Sequence, residues 1–575
     1  MLNYFVLSTL ILFGLLVFPQ SVVFDTIPLN YQLFPRDTHD SAAVSVTGSV
    51  VLDGKDSITI EMYKNGLLWK RNSDNLVYNN GTALFKLYPK LHAELAEYSI
   101  KLLLDEDSII QIDSIVCGDA YLINGQSNAA ANDYDDSVHY RCEWVRSTRR
   151  LNNVGWGLAR ADTIYADYTV GVWGLRLGKL ISDSNGIPVA IINGALGSTD
   201  IEDHLRYEPN PTNTYHLYGH LLTRAINAGI RDKVRALFWH QGENNSLDLS
   251  YLNYAHNFDT LYHAWKEDYP GLEKIYVFQG HPGCGGSYQH QIREMQRKFP
   301  ETYPDIHVMS TVGLGYHDGC HYHYPGYNNM AQRMYDMIKW ELYGSHDTAG
   351  SFPPNIRQAY YTSSTRDEVC LVFDQPVLWP SDTFITWNTT TTYYSMQDYF
   401  YLADASPDGI NHEVDSGYAI PVENKVILRL TQTSPANHIT YLPNSSYSLG
   451  PWLRNERGVG ALTFFEFPLD SEQVTTIGSI QTDRTQNSKI QVWPNPFNPM
   501  VRITVSGGWK TDEQRRKMAL KIYNVSGKLV MDLSAQPASL SSGISWNAAA
   551  FPSGIYIVRL IREDDILERT IMLLR

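Results

Sequence analysis

The alternation of apolar and polar positions changes its period along the chain. Between residues 24 and 116 it is close to two, in short runs: SVTGSVVLDG, SITIEMYKNGLLWKR, TALFKLYP and YSIKLLLD, with turn pairs such as Asp53-Gly54 and Asn65-Gly66. Successive side chains of a strand point to opposite faces, so this region predicts half-buried strands and a small β-sandwich. Between 117 and 345 continuous apolar runs (AYLI, PVAIING, VRALFWH, KIYVFQG, IHVMS) alternate with helical stretches such as VWGLRLGKLISDS, YGHLLTRAINAGIR and YNNMAQRMYDMIKWELYG. Strands buried on both faces and alternating with helices predict an α/β domain, a parallel sheet with helices on both sides. Strand-like runs return over 352–470 (EVCLVFDQPV, KVILRLTQ, ALTFFEFPL) and predict a second sandwich. A polar stretch over 471–488 reads as a linker, and 489–575 as another small β domain punctuated by Gly and Pro.

The first residues, MLNYFVLSTLILFGLLVFPQSVVF, form an apolar run that ends in small and polar residues. Residues 1–22 read as a signal peptide without the usual preceding Lys or Arg; the competing reading is an uncleaved anchor near the minimum length for a membrane span. Export is the preferred reading. At 575 residues the chain exceeds one ordinary core, so several domains are expected. A net charge of −15 excludes nucleic acid and anionic membrane surfaces as main partners. The 38 tyrosines and 13 tryptophans suit carbohydrate-facing surfaces, but they equally fill sandwich cores. Five cysteines (Cys117, Cys142, Cys284, Cys320, Cys370) are too few for a disulfide scaffold. One bridge between the Cys284 and Cys320 loops is compatible with export, and no CxxC pair suggests structural zinc.

In parallel sheets ligands bind beyond the C-terminal strand ends, and four segments there carry chemistry. In YLINGQSNAAAN a strand runs into Gly125, and Ser127 opens an Ala-rich helical stretch with its hydroxyl exposed and its N–H at a helix start. An ordinary N-cap serine would look the same. In IINGALGSTDIE, Gly197 lets backbone approach a ligand and offers an oxyanion N–H, or else marks a plain strand-to-helix turn. In ALFWHQGENN, Gln241 offers a neutral amide donor, Glu243 is a general base or a brace for the loop, and His240 is structural or faces substrate. In GYHDGCHYHYPGYNNMAQRM, Asp318 can orient the imidazole of His321 ahead of a helix; His323 is an alternative base. A metal held by His317, Asp318, His321 and His323 is a further reading, weakened by the lack of a helical i, i+4 pair.

Together these segments resemble the blocks of SGNH (GDSL-like) hydrolases, in the branch of sialate O-acetylesterases and related carbohydrate acetylesterases. Ser127 in GQSNA matches the serine block. Asn193 to Glu202 matches the second block, with Ser198 replacing its second glycine. Trp239 through Asn245 matches the third, and Asp318, His321, Gly326 and Tyr327 match the last, whose spacing favours His321 over His323. IREMQ at 292–296 and WLRNERGVGALTFFEF near the end of the second sandwich are similar to further parts of these enzymes. WPNPFNP, LKIYNVSGKLV and FPSGIYIVRL resemble the type IX secretion (Por-type) sorting domain.

The resemblance implies a three-layer α/β/α esterase domain at 117–345 between sandwiches at 24–116 and 352–470, with a sorting domain at 489–575. It implies Ser127, His321 and Asp318 as a triad and Ser127, Gly197 and Gln241 around the oxyanion, with Glu243 in support. Neither metal nor organic cofactor is called for. The implied substrate is an acetylated carbohydrate, with an acetylxylan or other polysaccharide deacetylase as runner-up. The implied partner is the outer-membrane secretion machinery, with release or attachment at the cell surface. A non-catalytic carbohydrate-binding surface protein is the rival class, and a missing Ser, Asp or His would have favoured it.

Overall fold

A computed structural model of the chain describes residues 22–573, apart from 52–53, 133–136, 151–153, 163–164, 348, 388–389, 403–412, 443–450, 472–488, 494–497, 507–518, 525–527, 535–543 and 563–564. The expected signal peptide, but for Val22, and nearly all of the expected linker lie outside the described residues. The chain divides into two compact units, residues 1–473 and 474–575.

The first unit opens with a β-sandwich. One sheet pairs Val22–Thr26, Val46–Val50 and Thr82–Leu87; the other pairs Leu67–Asn75, Ser57–Lys64 and Tyr98–Leu104. The alternating positions anticipated from the sequence fill its core, including Val46, Ile58, Ile60, Phe85, Ile100 and Leu102. The next strand, β1 (Asp107–Gly125), has 19 residues and does two jobs. Its first half pairs antiparallel with Tyr98–Leu104 in the sandwich, and Asp119–Gly125 pairs parallel in the next sheet. One strand thus crosses residue 116 unbroken.

Downstream come α1 (Ser127–Ala130), β2 (Val145–Thr148), β3 (Trp156–Leu158), α2 (Val172–Asn185), β4 (Val189–Asn193), α3 (Leu217–Asn227) and β5 (Val234–His240). They are followed by α4 (Tyr254–Asp268), β6 (Lys274–Gln279), α5 (Gln289–Thr302), β7 (Ile306–Ser310) and α6 (Tyr324–Glu341). The sheet order is β3-β2-β4-β1-β5-β6-β7, parallel except for β3. Alternate residues of β1 enter different cores. Tyr121 and Ile123 pack with Trp173, Leu177 and Ile181 of α2 and Met330, Met334 and Met337 of α6. Ala120 and Leu122 share the other core with residues of α3, α4 and α5. The continuous apolar runs are therefore strands buried on both faces, as their lack of alternation predicts.

A second sandwich follows, with Val369, Leu371, Phe373, Leu428, Ile439, Tyr441 and Phe464 in its core. It joins the α/β part through buried polar contacts: Gln279 exchanges two 2.9 Å bonds with the Thr463 backbone, and Arg293 donates to Leu442 O at 3.0 Å. The second unit pairs Lys489–Trp493, Met500–Ser506 and Ile544–Asn547 in one sheet. Leu529–Asp532, Ala519–Asn524, Gly554–Arg562 and Asp565–Leu573 form another, over a core that includes Ile503, Ile522, Trp546 and Val558. No helix among the described residues is long and apolar enough to cross a membrane.

At the N-terminal end of the parallel sheet the Asp119 carboxylate is only 1% exposed. It accepts from Arg36 Nε at 2.7 Å, Arg235 Nη1 at 3.0 Å and the Tyr343 hydroxyl at 2.8 Å. Burial pushes its pKa up, but the hydrogen bond from Arg36 and the charges of Arg235 and Arg36 outweigh that and hold it below the usual carboxylate range. Removing one partner of a buried ion pair strands the others, so Asp119→Ala should lower stability by about 3–5 kcal/mol. Chemical denaturation at neutral pH followed by tryptophan fluorescence measures this, and a loss below about 1 kcal/mol would contradict it. A depressed folded-state pKa stabilises above the unfolded value and is lost as pH falls through the folded one. The difference between wild type and variant should therefore shrink under acid.

Candidate active site

The C-terminal end of β1 is pressed against that of β5. Gln126 N donates to His240 O at 2.9 Å, and a Cβ on Gly125 would stand 2.1 Å from the same oxygen. Gly125 also has φ +131°, so both space and backbone demand glycine. The turn delivers Ser127 to the first position of the four-residue helix α1, which closes at Ala131 in left-handed conformation. The Ser127 N–H has no acceptor among the described residues.

The residues on either side of Ser127 are anchored in the loop after β5. Gln126 Oε1 accepts from Gly242 N (3.3 Å) and Asn244 N (3.2 Å). The fully buried Asn128 donates to Glu243 Oε1 (3.1 Å) and Cys320 O (3.2 Å), and accepts from the Tyr327 hydroxyl of α6 (3.2 Å). From β4, Asn193 Nδ2 donates to Ala129 O at 3.0 Å and so holds the back of α1. Three amide side chains thereby immobilise the turn. In the sequence they are only letters of the resembling blocks; amides at the ends of buried apolar runs are the signal, because such groups are buried only when bonded.

His321 Nε2 lies 3.0 Å from Ser127 Oγ. Asp318 Oδ2 is 3.7 Å from His321 Nδ1, an ion-pair separation longer than a hydrogen bond, with both side chains 52% exposed. Asp318 Oδ1 accepts from the backbone N–H groups of Cys320 (2.9 Å) and His321 (2.7 Å). Partial burial raises the Asp318 pKa, but those N–H bonds and the His321 charge outweigh it and lower it overall. The segment is tied by a Cys284–Cys320 disulfide to the loop after β6, while Cys117, Cys142 and Cys370 are free.

His323 is exposed at the start of α6 and has no hydrogen bond to Ser127. His317 turns inward, its ring 4.1 Å from that of His281, and burial lowers its pKa. Among the described residues, no three His, Cys, Asp or Glu side chains gather as a metal site requires. His240 is fully buried, stacked at 4.6 Å on Phe278. Its Nε2 is 3.3 Å from Glu243 Oε1. Burial raises the Glu243 pKa, but His240 and Asn128 bring it below the usual value. The Glu243 carboxylate thus accepts from the Asn128 side chain as well as from its own backbone N–H.

Two of the anticipated oxyanion donors are otherwise engaged. Gln241 is fully buried, and its Nε2 donates to Thr199 O (3.1 Å) and Asn245 Oδ1 (2.7 Å). Asn245 Oδ1 also accepts from Ile201 N at 2.9 Å, which fixes that atom as oxygen and the Gln241 atom as nitrogen. With both hydrogens engaged in this way, Gln241 ties the loops after β4 and β5 together. Gly197 does stand beside Ser127, since a Cβ built on it would lie 3.8 Å from Ser127 Cβ. Its N–H, however, donates to the Tyr165 hydroxyl at 3.0 Å.

Residues 117–339 match a family described as carbohydrate esterase, sialic acid-specific acetylesterase. Residues 491–573 match the secretion system C-terminal sorting domain. None of the curated proteins matches the chain. Among solved structures, a carbohydrate acetylesterase from Xanthomonas citri is 18% identical with a TM-score of 0.55, over 77% of this chain and 99% of that one, a likeness of fold. An Arabidopsis thaliana protein is also 18% identical, over 38% of this chain and 96% of that one, with a TM-score of 0.32 too low to carry an argument. The chain thus carries a domain of a carbohydrate-esterase family and a type IX sorting domain that directs it to the cell surface or the extracellular space.

Ser198, where the related blocks have glycine, is exposed and has φ +59°. The left-handed region costs an L-residue roughly 1–2 kcal/mol, against roughly 0.5–1 kcal/mol for the extra freedom glycine loses on folding. Ser198→Gly should therefore raise the thermal midpoint in calorimetry, and a lowered midpoint would contradict the strain.

Proposed function

We propose, taking the carbohydrate-esterase domain and the sorting domain as premise, that this protein is a secreted serine esterase that removes O-acetyl groups from carbohydrate, of the sialate O-acetylesterase kind. The observation that carries the reading is the 3.0 Å contact of His321 Nε2 with Ser127 Oγ at the C-terminal edge of a parallel sheet. His321 accepts the hydroxyl proton as Oγ attacks the acetyl carbonyl, and Asp318 orients the ring and offsets its positive charge. The Ser127 N–H, at the start of a helical turn, faces the oxygen on which charge develops. The tetrahedral intermediate collapses, His321 protonates the departing sugar hydroxyl, and water releases acetate from acetyl-Ser127 by the reverse path. The fold class that fits is the three-layer SGNH type, with residues 1–22 as a signal peptide.

Acetate release from acetylated sialosides, xylan, pectin and mannan tests both substrate and mechanism. Activity on the sialosides should exceed that on the polysaccharides, and Ser127→Ala should lower turnover by about 10⁴–10⁶-fold. Undiminished release by that variant would end the serine mechanism, and preference for xylan would move the substrate assignment. Asp318→Asn should lower kcat by clearly less than the roughly 10⁴-fold cost at a buried triad aspartate, because solvent screens this half-exposed pair. A full 10⁴-fold loss in steady-state kinetics would show that the pair tightens and dries in the complex.

A further inference from the structure

Attack on an ester puts a full negative charge on one oxygen, and a serine esterase meets it with at least two donors. Of the three anticipated donors, the Ser127 N–H alone has no partner among the described residues, since the hydrogens of Gln241 are spent and the Gly197 N–H is given to Tyr165 Oη. That phenol belongs to the segment between β3 and α2. Its oxygen is 3.2 Å from the point a Cβ on Gly197 would occupy, the same point that is 3.8 Å from Ser127 Cβ. A phenol carries one hydrogen, and an oxygen that accepts from a backbone N–H keeps that hydrogen for a second partner.

The ring is held in an uncommon way. Tyr165 has φ +52°, unusual for a bulky residue, and the Arg150 guanidinium lies 4.7 Å from its ring centroid. Arg150 makes no side-chain ion pair among the described residues: Asp167 accepts its backbone N–H and lies 3.9 Å from the neighbouring Arg149. An unneutralised cation on the ring face draws electron density from the phenol and strengthens its O–H as a donor.

We propose that Tyr165 is a further catalytic residue, whose hydroxyl donates to the oxyanion while the Gly197 N–H donates to the hydroxyl. Charge on the substrate oxygen polarises the whole chain, which strengthens both bonds together. No proton changes owner at Tyr165. Attack of Ser127 Oγ breaks the carbonyl π bond and leaves its electron pair on oxygen, the serine proton passes to His321, and collapse reverses the flow. Arg150 is a positioning residue that acts through the ring. The proposal rests on the reading of Ser127 as nucleophile.

The test is steady-state hydrolysis of p-nitrophenyl acetate and an acetylated sialoside by the full-length protein and its Tyr165→Phe, Arg150→Gln and Ser127→Ala variants. Phe keeps the ring on Arg150 and loses only the hydroxyl. Tyr165→Phe should lower kcat by about 10²–10³-fold with KM nearly unchanged, the cost of one oxyanion donor. Arg150→Gln should lower kcat about fivefold. It should weaken binding of an alkylboronate, a tetrahedral anion at Ser127, by the same factor and leave KM alone. Unchanged or raised kcat in Tyr165→Phe would overturn the proposal, for it would mean that the phenol only occupies the Gly197 N–H until substrate displaces it. If Ser127→Ala is inactive in that same experiment, the serine mechanism stands and only the role of Tyr165 falls. An active Ser127→Ala would remove both.

Discussion

The site depends on one close backbone approach, where the carbonyl of His240 at the end of β5 receives the N–H of Gln126 just past the end of β1. A side chain at position 125 would collide with that oxygen, so the sheet closes only around glycine there. This contact fixes where the chain leaves the sheet, and hence where the Ser127 hydroxyl stands. It is also the point at which the strand order reverses direction around β1, where α/β sheets leave a crevice beyond their strand ends.

The same strand makes the N-terminal sandwich part of the machinery. Residues 107–115 are held by the sandwich and residues 119–125 by the parallel sheet, so the two share a rigid member rather than a linker. At one end of the parallel segment Asp119 is clamped by two arginines; at the other Gln126, Asn128 and Asn193 clamp the turn. The opposing partner, His321, comes from a loop far along the chain that is secured by the Cys284–Cys320 bridge and by Cys320 O on Asn128. The Ser127 turn and the His321 loop therefore meet at one buried amide, Asn128, which keeps the two side chains in register.

Much of this was legible in the sequence. Buried-strand runs between helical stretches specified the α/β layers, and strand-end glycines and the Asp318-x-x-His321 spacing marked the loops that converge. The bridge between the Cys284 and Cys320 loops is one the sequence of an exported chain allows. What escaped was the direction of hydrogen bonds. Gln241 has the chemistry and strand position of an oxyanion donor, yet its amide hydrogens go to Thr199 O and Asn245 Oδ1, which no linear pattern reveals. Tyr165 lies in an irregular stretch without periodicity, more than thirty residues from Ser127 and from Gly197. Its place at the site comes from a left-handed backbone and an arginine beneath its ring, both visible only in three dimensions.

The central claim is that a covalent acetyl group passes through Ser127. Rapid acid quench of the protein during turnover of an aryl acetate, followed by peptide mass mapping, tests it most directly. The account predicts one acetyl group per chain, on the peptide that carries Ser127, appearing within the first turnover and absent from Ser127→Ala. An acetyl group on another residue, or steady turnover with Ser127 never modified, would contradict it.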